Sequence, residues 1–290
     1  MDGILILDKE SGVFSRTAGC RVAKMFGEKK FGHIGTLDPM ASGVLPIAIG
    51  NATKMIPFIE EICPNQKEYL FGLQFGIDTD SLDITGKVTE TNDIVPIDTE
   101  IISACKKIEE SKEQIPPIFS AVHVNGQRAY ELARRGETTE MKPRPISIYK
   151  LEYTGKGRQQ EYNFRVVCSR GTYVRSIVRD IAKLCGAIAT TTYIRRTATN
   201  GFEIKNAVKL DFLKNLVNNS GRIDKYLMQS DCALGDIPVI NLNDKETELY
   251  KNGGFVETGC GNGLYRVYSG KTFVGIGRTE NCMLKPKRTL

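Results

Sequence analysis

The chain has 290 residues, 41% of them hydrophobic and 26% charged, with no Trp and a net charge of +6 at pH 7. That length buries a substantial core without disulfide staples and fits one large domain or a large plus a small one. Only two His, eight Cys without a CxxC pair and no apolar run of membrane-spanning length argue against a zinc site and a membrane protein, and Met1-Asp2-Gly3 opens no basic-then-apolar leader, so a cytoplasmic protein with reduced thiols is expected.

In chain order, the apolar run at residues 4–7 predicts a short buried strand. Ser15 is placed to cap a helix whose Ala18, Val22, Met25 and Phe26 share one face. Residues 31–50 are punctuated by Gly and Pro and read as loop and turn with a short apolar continuation. Residues 67–76 alternate, with Tyr69, Phe71, Leu73 and Phe75 on one side, as a half-buried strand does. Ile101, Ala104, Cys105 and Ile108 follow helical spacing. Residues 115–145 form a Pro-bounded, Arg-rich excursion around a predicted helix at 129–135, suited to closing over a ligand. Residues 162–168 alternate again, and Gly171 separates them from a helix carrying Tyr173, Ile177, Ile181 and Leu184. On that helix Arg175, Arg179 and Lys183 make a stripe, which is either solvated or turned toward a carboxylate or phosphates. Alternating strands predict an α+β architecture, with an antiparallel or mixed sheet covered on one face. From residue 233 onward the texture becomes Gly-dense with short β-type runs, a small β-rich module.

The charge is unevenly spread. Residues 115–200 hold 15 Lys or Arg against 6 Asp or Glu, so the remainder of the chain is net negative. A concentrated positive region suits a polyanion, although a solvated basic surface has the same composition. Asp78-Thr79-Asp80 with Asp83 fails the calcium-loop pattern, because Asp83 stands at the Gly position and Thr89 at the closing Glu position. It reads as a polar turn. Asp38 precedes Pro39, which pushes it out of the helical region and into a turn or extended conformation.

The stretch FGHIGTLDPMASGVLPIAIGNATK at residues 31–54 resembles the signature segment of the bacterial tRNA pseudouridine synthase B family. So do GILILDK at 3–9, KEYLFGLQFG at 67–76, IPPIFSAV at 115–122, SRGTYVR at 169–175 and YIRRT at 193–197, in the same order and spacing. The sequence departs from the family at Glu10, Phe119 and His123, where Pro, Tyr and Lys are usual. The resemblance implies a pseudouridine synthase catalytic domain over 1–232, with an RNA-binding insert at about 115–145, and a PUA-like module over 233–290. It implies a monomer that isomerises the uridine at position 55 in the TΨC stem-loop of tRNA to pseudouridine, without cofactor or metal. Asp38 would be the nucleophile, Arg175 its ion-pair partner and Tyr69 the ring that stacks on the flipped base. His33 would insert near the gap left by that base, with Tyr173 and Ile194 lining the pocket, and Lys9, Lys54, Arg195 and Arg196 would contact phosphates. Whether Asp38 first attacks the sugar or the base, or takes a sugar proton, stays open. Two other readings share this fold: a tRNA-binding or folding protein without catalysis, and a synthase for another RNA uridine.

Overall fold

The computed structural model describes every residue except 125, 138, 139 and 159. Its main sheet has nine strands. They are β1 (Gly3–Lys9), β2 (Phe31–His33), β3 (Ser42–Ile49), β4 (Gln66–Phe75), β5 (Ile148–Lys156), β6 (Glu161–Ser169), β7 (Ala189–Thr199), β8 (Phe202–Glu203) and β9 (Val208–Lys209). The spatial order is β5-β6-β4-β7-β3-β1-β9, with β2 beside β3 and β8 beside β7. Most neighbours run antiparallel; β7 joins β3 in parallel only at Arg195↔Ser42 and Arg196↔Gly43, and β1 joins β9 in parallel. The architecture is α+β with a mixed, mostly antiparallel sheet, as expected.

Alternation explains β4 and β6, where every second side chain is buried along much of each strand. Helices α1 (Ser15–Met25), α2 (Asp98–Glu109) and α3 (Val174–Leu184) cover this face. The expected single covered face does not hold for β1 and β3, which are buried almost without interruption. Leu5, Leu7, Leu45 and Ile47 join the core under the helices. On the other face Ile4, Ile6, Val44 and Ala48 meet Leu234, Ile237, Phe273 and Ile276 from the C-terminal part of the chain. Strands covered on both faces lose the polar alternation that sequence reading relies on.

The C-terminal part forms a second sheet of five strands: β10 (Val239–Leu242), β11 (Val256–Glu257), β12 (Gly263–Ser269), β13 (Thr272–Glu280) and β14 (Met283–Thr289). The buried Asp231 carboxylate accepts from Arg266 Nη1 at 3.1 Å and from the Tyr268 hydroxyl, tying this sheet to the chain that leads into it. The Arg-rich excursion is closed at its base by pairing of Glu113–Gln114 with Arg144–Pro145. It carries a short helix, Ala129–Arg134, as its spacing predicts.

Candidate active site

A cavity of ≈ 310 Å³ opens where the loop between β2 and β3 meets β4, β7 and the start of α3. That is the lower end of the range for small-ligand pockets, about 300–1,000 Å³, and suits one nucleoside instead of a whole stem-loop. Its walls include His33, Asp38, Lys67, Tyr69, Tyr173 and Ile194. Five of these six are residues that the sequence singles out; the sixth, Lys67, is not.

Asp38 is half-buried and held from three directions. Arg175 Nε donates to its Oδ2 at 2.9 Å, and Nη2 lies 2.8 Å from the same oxygen. The remaining guanidinium donors reach the Ser81 carbonyl at 2.8 Å and the Phe119 carbonyl at 2.9 Å, and Asp83 Oδ2 stands 3.7 Å from Nη1. Arg175, itself buried, therefore links the carboxylate, the polar turn after β4 and the excursion. The backbone on either side of Asp38 is fixed from below. Ser15 Oγ donates to the Leu37 carbonyl at 2.9 Å and accepts from Leu37 N–H at 3.0 Å. Lys9 Nζ donates to the Pro39 carbonyl at 3.2 Å, and Gly12 N–H donates to it at 2.8 Å. Ser15 is thus not the cap of α1. Phe14 precedes the helix without a side-chain cap, and the Ser15 hydroxyl is spent on the loop carrying Asp38.

Tyr69 sits on β4 opposite Arg196 of β7. Burial pushes its phenol up to about 12, against the opposing pull of the Arg196 charge, so it stands as an O–H donor at neutral pH. His33 Nε2 lies 3.0 Å from Thr36 Oγ1, and burial, then the charge of Arg196, holds its pKa below the usual imidazole value. Tyr173 precedes α3. Its N–H donates to Gln114 Oε1 at 2.9 Å and its carbonyl accepts from Gln114 Nε2 at 3.2 Å, so the base of the excursion positions this wall. The excursion's own small core of Val122, Ala129 and Met141 packs on the Tyr173 ring.

The expected phosphate contacts need correction. Lys9 is 1% exposed and donates to the carbonyls of Glu10, Val13 and Pro39, so its charge is used inside the fold. Arg196 is 0% exposed, with Nε on the Val44 carbonyl and Nη2 on that of Gly35, each at 2.8 Å. Neither offers a cation to a surface polyanion. Arg195 makes a two-pronged pair with Asp8 at 3.0 and 2.9 Å, and Lys54 Nζ donates to the Thr289 carbonyl at 3.0 Å. Both are partly exposed. In the Arg175, Arg179 and Lys183 stripe only Arg175 meets the cavity carboxylate; Arg179 pairs with Asp180 and the Ile115 carbonyl.

Close backbone approach explains Gly43. Its φ is +104° and a Cβ there would overlap the Arg196 carbonyl, so β3 and β7 join only because that position has no side chain. Missed by sequence reasoning were Lys67, Asp83 and Ser15. Period-two spacing from Tyr69 would have found Lys67, and the Asp83 signal was the density of acids in a turn.

A paired carboxylate, a buried phenol and an aliphatic side chain thus surround a nucleoside-sized cavity on this mixed sheet. Residues 23–174 match the TruB family pseudouridylate synthase (N terminal domain). The tRNA pseudouridine synthase B of Caulobacter vibrioides is 39% identical over 246 residues, covering 85% of this chain and 78% of that protein. The tRNA pseudouridine synthase B of Ehrlichia chaffeensis is 38% identical over 299 residues, covering 99% of both. The fold is shared with a chain in the crystal structure of a Cbf5-Nop10-Gar1 complex, at a TM-score of 0.70 and 22% identity, over 99% of this chain and 84% of that one. The chain belongs to the TruB family and is a pseudouridine synthase, an isomerase.

Proposed function

We propose that the protein isomerises the uridine at position 55 in the TΨC loop of tRNA to pseudouridine, with Asp38 as nucleophile. The observation that carries this reading is the Asp38 carboxylate, held through Oδ2 by Arg175 at the wall of a cavity that also presents Tyr69 and Ile194. The names of the relatives, tRNA pseudouridine synthase B, support tRNA as the substrate.

A uridine stacked in an RNA loop does not reach a cavity inside the sheet, so the nucleotide flips out and enters alone. Ile194 and Tyr69 take the two sides of the uracil ring. Arg175 holds one carboxylate oxygen and orients the group while its second oxygen meets the substrate. The C1′–N1 bond breaks, uracil turns, and C5 bonds to C1′. C5 loses a proton and N1 gains one, so substrate and product are isomers and no co-reactant is consumed. The folded loop is recognised by shape and a few base contacts, as single-stranded RNA regions are.

The test is incubation of the protein with unmodified tRNA, followed by nucleoside analysis. We expect pseudouridine at position 55 from the wild type and none from Asp38→Asn. Product from Asp38→Asn at the wild-type rate would sink the assignment of the nucleophile. Binding without product in the wild type would favour a tRNA-folding role. Arg175→Ala should lose about 100-fold or more in kcat, because misplacing a reacting group by about 1 Å costs that much.

A further inference from the structure

We propose that Lys67 is the cation that stabilises the negative charge on uracil during the isomerisation, donating from Nζ to a carbonyl oxygen of the flipped base. This rests on the reading that the chain isomerises uridine. Lys67 lies two residues before Tyr69 on β4, and therefore on the same face. It lines the same cavity as Asp38 and Tyr69. A Cβ on Gly35, another wall residue, would stand 3.5 Å from Lys67 Nζ and 3.2 Å from Arg196 Nη1. Arg196 Nη1 is buried without a hydrogen-bond partner among the described residues. Two cations thus meet at one wall of the cavity, and Lys67 is the one that lines it.

The chemistry requires such a group whichever step comes first. If the C1′–N1 bond breaks, its electron pair stays on the ring as uracilate, spread over N1, O2 and O4. If the carboxylate adds at C6, the C5=C6 pair moves onto O4. In both cases the ring is anionic until C5 bonds to C1′, C5 gives up its proton and N1 takes one. A fixed cation at the cavity wall stabilises that charge more than it stabilises neutral uridine, which is the condition for lowering the barrier.

Burial, and then the charges of Arg196 on β7 and Arg170 in the turn after β6, bring the Lys67 ammonium down to about 8. Cys168 on β6 and Glu60 on the Ile56–Ile62 helix act weakly in the other direction. The ammonium is needed charged, so activity is present below that value and is lost as pH rises through it.

The experiment measures kcat, kcat/KM and tRNA affinity for wild type and Lys67→Met. We expect Lys67→Met to lose about 100-fold in kcat, the usual effect of removing one such donor, with tRNA affinity held within about twofold. We also expect wild-type kcat/KM, which reports the free enzyme, to fall above about pH 8, and this limb to vanish in Lys67→Met. The proposal is overturned by a Lys67→Met kcat equal to wild type, or by a loss confined to affinity and to its salt dependence, the mark of a phosphate contact. A wild-type profile that stays flat to about pH 9.5 overturns it without any variant. Absence of product from the wild type would instead remove the functional reading itself.

Discussion

Ser15 does not itself line the cavity, yet it holds Leu37, the wall residue immediately before Asp38, through two hydrogen bonds. Removing the hydroxyl strands a buried N–H and C=O, at a cost of about 1–3 kcal/mol for each group left unpaired, and loosens the loop that aims the carboxylate. We expect Ser15→Ala to lower kcat about tenfold with tRNA affinity unchanged, and Ser15→Thr to restore most of it. Single-turnover rates beside filter binding check this, and an unchanged kcat in Ser15→Ala would show that the loop holds its shape unaided. The same residue shows why local reading fails at particular positions. A Ser ahead of a helix usually caps it, and a Lys at a strand end is usually solvated. Here Ser15, Lys9 and Gly12 all serve a loop more than twenty positions away. Such contacts leave no periodic trace. The pairing of Asp38 with Arg175 was legible only through the family resemblance, because no spacing rule connects a turn to a helix N-terminus.

Strand β4 is the element on which the site depends, since it places Lys67 and Tyr69 on one face and pairs with both β6 and β7. Its inward side chains are also the core. Phe71 is fully buried, and its ring stacks on Phe164 of β6 with centroids 5.2 Å apart. Phe71→Ala is expected to cost about 3–5 kcal/mol, read as a lower midpoint in urea with a similar slope. A midpoint unchanged from wild type would mean that the neighbours collapse into the space. This strand, β6 and helix α2 were readable from alternation and helical spacing, because each has one polar and one apolar side. Strands β1 and β3 were not fully readable. Nothing in their own sequences announces which other part of the chain covers the second face.

At the scale of the whole molecule, that second face makes the C-terminal sheet part of the catalytic fold's core. Ile4, Ile6, Val44 and Ala48 pack with Leu234, Ile237, Phe273 and Ile276, and Lys54 reaches the carbonyl of Thr289. Truncation after residue 232 is expected to expose this apolar surface, lower Tm by several degrees and raise binding of a hydrophobic dye. A truncated protein with the wild-type Tm would show that the two sheets are independent. The ion pair at the cavity carries a different consequence. Asp38 and Arg175 lie 137 positions apart, so no amount of locally formed structure assembles the nucleophile. On the ribosome the carboxylate stays without its partner until more than half of the protein has been made. Contacts of such long sequence separation form late. After dilution from urea, turnover should therefore return more slowly than helical signal, which makes the reaction itself a timer for closure of the sheet.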